Sequence, residues 1–159
     1  MKNSMKKSLT YIAVAFLALT FAACKVEDPF VDRVVAPVLV DIVGAAFGAP
    51  LATEPTVSYP TTGKVTLTAR LLELDKTNIL DNTKGIDSIP VPNIPIRITL
   101  RTGAVLGEVT SNAQGVVSLE KSWEELGLAT PRAGAVIRIS WSGNYKGIAF
   151  TRLSQIQAR

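Results

Sequence analysis

Lys64-Val65-Thr66-Leu67-Thr68-Ala69-Arg70-Leu71-Leu72-Glu73-Leu74 carries the plainest structural signal in the chain. Val65, Leu67, Ala69 and Leu71 alternate with Thr66, Thr68 and Arg70. A period of two belongs to a strand that buries one face and wets the other. The pattern recurs over residues 91–100, where Ile94, Ile96, Ile98 and Leu100 are expected inward and Pro95, Arg97 and Thr99 outward. It recurs again over 135–141, with Ala135, Ile137, Ile139 and Trp141 inward against Val136, Arg138 and Ser140. Further strands are expected over 34–43, 104–110, 115–119 and 146–153, the last with Ile148 and Phe150 inward. About seven strands with no βαβ rhythm predict an all-β fold, an antiparallel two-sheet sandwich over residues 34–159.

The punctuation refines this picture. Proline gives no amide to a ladder, so Pro37 predicts an edge strand or an irregular strand start, and Pro95 an edge strand. Residues 44–63 hold three glycines and three prolines and read as loop, and 75–92 as a polar loop. Ser111-Asn112-Ala113-Gln114-Gly115 reads as a hairpin loop, and Ser142-Gly143-Asn144 as a second turn. Ser122-Trp123-Glu124-Glu125 fits a capping box, and Gly127 stops it, so one short helix is expected near 122–127.

The start of the chain has a different composition. Lys2, Lys6 and Lys7 precede the uncharged, mostly apolar residues 9–23, and Ala22 and Ala23 precede Cys24. A basic start, an apolar helix-forming stretch and small residues before a cut mark a secretory signal peptide over 1–23. The stretch is short of the roughly 20 residues that a membrane-spanning helix needs. Three of the 17 Lys and Arg lie in this leader and none of the 13 Asp and Glu, so the rest carries 14 bases against 13 acids. That balance supplies no basic stripe for a phosphate backbone, and no nucleic-acid partner is expected. With one cysteine no internal disulfide forms, and stability must come from a core.

Leu19-Thr20-Phe21-Ala22-Ala23-Cys24 resembles the lipobox of bacterial lipoproteins, with Phe21 where that family usually has Leu. The resemblance implies a diacylglyceryl group on the Cys24 thiol, cleavage before Cys24 and acylation of its new amino group. Residues 24–33 then form a charged, lipidated tether, and membrane lipid is a partner through Cys24. Lys25 stands where an Asp would signal inner-membrane retention in enteric bacteria, which implies the outer membrane. Lys25-Val26-Glu27-Asp28 also resembles the charged export signals of Bacteroidota surface lipoproteins, and equally fits a solvated tether; periplasmic and cell-surface faces both stay open. Downstream, Val91-Pro92-Asn93-Ile94-Pro95-Ile96-Arg97-Ile98-Thr99-Leu100 and Gly107-Glu108-Val109-Thr110-Ser111-Asn112-Ala113-Gln114-Gly115 resemble bacterial Ig-like and transthyretin-like (carboxypeptidase regulatory-like) domains. Those motifs are strand and turn chemistry and imply a fold rather than a function.

Catalytic constellations fail in turn. The chain has no histidine, so no Ser-His-Asp triad exists. Cys24 is committed to lipid, and Glu124 and Glu125 are adjacent and point apart. A non-enzymatic protein without cofactor or resident metal is expected, although the Asp- and Asn-rich loop 75–87 has oxygen ligands that calcium accepts. Trp141 and Tyr145 flank a glycine-containing turn and could form an aromatic ligand platform; equally, Trp141 fills the core and Tyr145 covers the sandwich end. The expected function is an outer-membrane-anchored structural or protein-interaction module with an envelope protein partner. The alternative is a surface glycan- or ligand-binding protein accessory to uptake or adhesion.

Overall fold

The structure is a computed structural model and describes residues 36–45 and 53–159. The expected signal peptide 1–23, Cys24 and the expected tether 24–33 lie outside the described residues. Nine strands follow in chain order: β1 (Leu39–Ile42), β2 (Thr56–Tyr59), β3 (Lys64–Asp75), β4 (Asp87–Pro90), β5 (Pro95–Leu100), β6 (Val105–Thr110), β7 (Val116–Ser122), β8 (Val136–Tyr145) and β9 (Ile148–Ala158). Among the described residues there is no helix. A four-stranded sheet holds β1, β3, β4 and β7, and a five-stranded sheet runs β2-β9-β8-β5-β6. Their inner faces share one core, in which Val65, Leu67 and Leu71 of β3 meet the cluster of Ile96, Ile98, Ile139 and Trp141. The architecture is thus all-β and sandwich-like.

β3 is the spine of the first sheet. Its inward set, Val65, Leu67, Ala69 and Leu71, is 2% exposed or less, as the alternation requires. On one edge it pairs with β1, from Leu39↔Leu72 to Ile42↔Ala69. β7 pairs with it from Lys64↔Ser122 to Arg70↔Val116, and β4 from Leu72↔Pro90 to Asp75↔Asp87. Ala69 and Arg70 pair with both β1 and β7, and Leu72 with both β1 and β4. A strand has only two edges, so β7 and β4 lie end to end along the same one. They meet at Leu71, whose amide donates to the Gly115 carbonyl (2.8 Å) and whose carbonyl accepts from the Val91 amide (2.9 Å).

The chain reaches that junction through residues 111–115. These do not close a hairpin. β6 belongs to the second sheet and β7 to the first, so the segment crosses between sheets. The hairpin partner of β6 is β5, from Pro95↔Thr110 to Thr99↔Val105. A polar five-residue turn signals a change of direction but not the sheet to which the chain goes next. Ser111 is buried at the crossing; its hydroxyl donates to the Val91 carbonyl (2.9 Å) and accepts from the Ile94 amide (2.9 Å). Asn112 Oδ1 accepts from the amides of Gln114 (3.0 Å) and Val116 (2.9 Å).

Other expectations also change. β2 lies in the expected loop 44–63 and β4 in the expected loop 75–92; four residues are too few to display a period. β2 pairs with β9 in parallel, from Thr56↔Gln155 to Tyr59↔Ala158, so the sandwich is not wholly antiparallel. β8 continues through Ser142-Gly143-Asn144 and turns instead at Lys146-Gly147, both at positive φ, into a β9 that extends to Ala158. Ile148 beside that turn is exposed, while Phe150 is buried. Pro95 starts an interior strand, because the β5–β8 ladder begins beyond it at Arg97↔Ser142. Pro37 precedes β1, an irregular start as expected.

The short helix is a single capped turn. Ser122 Oγ accepts from the Glu125 amide (3.2 Å), and Glu125 Oε2 accepts from the Ser122 amide (2.8 Å), which is the capping box. Gly127, at φ +83°, donates to the Glu124 carbonyl (2.9 Å), and Leu128 donates to the Trp123 carbonyl (2.8 Å). That is a Schellman ending. Start and stop signals are both present, but too little chain separates them for a helix to propagate.

The junction is sterically closed. A Cβ on Gly115, where φ is +70°, would stand 2.5 Å from the Leu71 carbonyl oxygen and 3.0 Å from the Val91 nitrogen. Gly115→Ala is therefore expected to destabilise the protein by about 3 kcal/mol or more, from strain plus displacement of a ladder. Gly63 also has positive φ but open space around it, so Gly63→Ala should cost only about 1 kcal/mol. Urea melts of the two variants test this, and equal losses would refute the steric account.

Candidate functional site

The strands define two ends of the sandwich. Asp75, Asp87, Tyr145 and Ile148 mark one, called here the arm end. Lys64, Ser122, Leu100 and Val136 mark the other, the groove end.

The aromatic platform does not form. Trp141 lies on the inner face of β8, 1% exposed, and its indole N–H donates to Ser154 Oγ at 2.8 Å. Both groups are buried and satisfy each other; left unpaired, either would cost about 1–3 kcal/mol. Strand alternation therefore places Trp141 in the core, and it offers no face to a ligand. Tyr145 is half-buried at the arm end, and its hydroxyl donates to Glu73 Oε2 (2.8 Å). Lys146 donates to Glu73 Oε1 (2.6 Å), with its ammonium 5.0 Å from the Tyr145 ring centre.

This cluster is not set up for proton transfer. The Lys146 hydrogen bond, then that of Tyr145, holds the Glu73 carboxyl below its ordinary value. The hydrogen bond to Glu73 in turn raises both the Tyr145 hydroxyl and the Lys146 ammonium. Each group is driven further into the state it already holds at neutral pH, the reverse of what a general acid or base needs.

The loop 75–87 spends its carboxylates locally. Asp75 Oδ1 accepts from the amide (2.9 Å) and hydroxyl (2.5 Å) of Thr77. Asp81 Oδ1 accepts in the same way from Thr83 (3.0 and 2.6 Å). The threonine hydroxyl bonds, first, lower both carboxyls. Among the described residues no group of three or more His, Cys, Asp or Glu gathers to hold a metal ion.

A groove of about 700 Å³ opens at the groove end. Three separate segments build it: residues 100–102 leaving β5, 126–128 leaving the capped turn, and 136–138 starting β8. The Arg101 amide ties two of them together through the Arg138 carbonyl (3.0 Å). Leu100, Leu126, Leu128, Val136 and Ile137 give it an apolar lining, with no carboxylate, histidine or cysteine. Val136 is 47% exposed, an apolar side chain on the outer face of its strand.

Two arginines flank this surface. Arg101 Nη1 donates to Glu54 Oε1 (2.5 Å), and Glu54 Oε2 is held by Gln155 Nε2 (3.0 Å). Arg138 is exposed, and its guanidinium makes no ion pair or hydrogen bond among the described residues. The groove thus offers apolar contact beside a cation that is uncommitted among the described residues. It can hold an apolar side chain and a neighbouring carboxylate, and it lacks a nucleophile paired with a base. Sequence reading placed Arg138 and Val136 on the outer face but missed the groove. The available signal was Val136, out of place on a wet face.

No protein-family model, characterised protein or solved structure matches the chain.

The capped turn beside the groove should respond to pH through Glu125. The Ser122 amide, and after it the Lys121 ammonium at 2.9 Å, hold the Glu125 carboxyl down at about 2. A carboxyl lowered on folding contributes stability above its ordinary pKa, and that stability fades as pH falls toward the folded value. Wild type should therefore lose thermal stability between about pH 5 and 2 more steeply than Glu125→Gln, which keeps an acceptor at the box. Parallel profiles would show that the box carries no such linkage.

Proposed function

We propose that the chain is an outer-membrane lipoprotein whose Ig-like, transthyretin-like sandwich is a non-enzymatic protein-interaction module. The signal peptide 1–23 is removed, Cys24 carries the lipid, and residues 24–33 tether the domain. The lipobox-like stretch Leu19 to Cys24 supports the anchor. The observation that carries the interaction reading is the groove, mostly apolar along its lining and bordered by Arg138, which has no partner among the described residues. Its occupant is an extended segment of an envelope protein that presents apolar side chains next to a carboxylate. The alternative of a glycan platform has lost its aromatic face, because Trp141 lies in the core and the Tyr145 hydroxyl is committed to Glu73.

One experiment reads both halves. Cells expressing the full chain with a photo-crosslinking residue at Val136 are fed an alkyne fatty acid. The protein should take up label, and Cys24→Ala should take up none. Illumination should give one discrete adduct with an envelope protein. Arg138→Glu should weaken that adduct about tenfold, a loss near 1.4 kcal/mol, and a crosslinker at Ser118 should give none. Label that persists in Cys24→Ala contradicts the anchor. An adduct indifferent to Arg138→Glu contradicts the groove.

A further inference from the structure

The arm end carries a second surface. β3 and β4 continue past the junction as a two-stranded arm, Leu72↔Pro90 to Asp75↔Asp87, with residues 76–86 at its tip. Every residue of β4 is exposed. Ile79 (56%), Leu80 (98%), Ile86 (46%) and Ile89 (48%) all lie on this arm. They are four of the nine large apolar side chains that the described residues expose, so the exposure is concentrated rather than scattered.

The chain enters the domain at the same end. β1 runs antiparallel to β3 with Leu39 opposite Leu72, so residues 36–38 continue toward Asp75 and the arm. Eleven residues separate Cys24 from Ala36, and that length of chain reaches at most about 40 Å. An anchor on so short a lead keeps the domain close to its membrane and brings the chain in beside the arm. The groove lies at the opposite end.

We infer that the tip of the β3–β4 arm, with Leu80 foremost, inserts into the surface of a lipid bilayer as a second contact. This fixes the sandwich with its groove facing away from the membrane. The inference rests on the proposed lipid anchor for its geometry. Its chemistry is apolar rather than electrostatic. The segment 75–87 has Asp75, Asp81 and Asp87 against Lys76 and Lys84, and Asp81 and Lys84 pair with each other at 3.5 Å. Such a surface gains nothing from anionic headgroups, so the contact should be insensitive to salt.

The test uses the full chain, extracted from membranes and reconstituted in phosphatidylethanolamine–phosphatidylglycerol vesicles that contain brominated phosphatidylcholine. Trp123 and Trp141 are buried and give a constant background. Leu80→Trp should emit further to the blue than it does in detergent-free, vesicle-free buffer, and bromine should quench most of its added emission at low and high salt alike. Thr102→Trp, at the groove end, should be quenched far less. The mass of the N-terminal peptide reports acylation of Cys24 in the same samples. If Cys24 is acylated and Leu80→Trp is not quenched, the arm contact is overturned and the anchor stands. Quenching without acylation supports the arm contact while the anchor fails. A blue shift without bromine quenching places Leu80 against protein and overturns the inference.

Discussion

The amide and carbonyl of Leu71 point to one edge of β3, and they serve two different strands. The amide donates to Gly115 at the start of β7, and the carbonyl accepts from Val91 at the end of β4. Everything above and below depends on that exchange. It lets one strand edge carry β7 over the core and β4 beyond it, and it brings the crossing segment 111–115 between the sheets. Only a residue without a side chain fits there, because a Cβ at Gly115 would meet two backbone atoms at once. Ser111 closes the same place from the other sheet by bonding Val91 and Ile94. A buried polar group satisfied on both sides fixes register more sharply than apolar contact does.

The consequence is a domain with two unlike ends. Below the junction β3 is flanked by β7 and covered by the second sheet, and the capped turn after β7 supplies one wall of the groove. Trp123 Nε1 donates to the Pro60 carbonyl (3.0 Å) and ties that turn to the exit of β2. Above the junction every residue of β4 is exposed and residues 72–75 of β3 are only partly buried, with Glu73 braced by Tyr145 and Lys146 of the β8–β9 turn. One end therefore offers a shaped apolar recess beside a cation, and the other a projecting apolar tip. Two unlike ends are what the proposed anchored interaction module requires, one for a surface and one for a protein.

How far this was legible in the sequence follows from length scales. The inward residues of β3, β5 and β8 were readable because six or more residues display a period, and Trp141 fell into the core on that period. Of the two alternatives for Trp141, the platform rests on the neighbouring turn alone and the core placement on the period. β2 and β4, at four residues each, show no period and passed as loop. The capping box and its glycine stop were both readable, but the spacing between them decides between helix and turn, and Leu128 closes the Schellman bond directly. Residues 111–115 were readable as a turn; which sheet they lead to is decided by Leu71, forty positions earlier. The groove is assembled from three segments far apart in the chain, and no local pattern announces it.

If the junction at Leu71 is the fixed point of the domain, its hydrogen bonds open only when the whole domain unfolds. Native-state hydrogen exchange measures this directly. The amides of Leu71 and Val91 should exchange as slowly as those of Leu67 and Ile98 in the core, while residues 76–86 of the arm exchange orders of magnitude faster. Exchange of Leu71 and Val91 at the rate of the arm would contradict the account, because the two ends would then be joined by a hinge and not by a fixed junction.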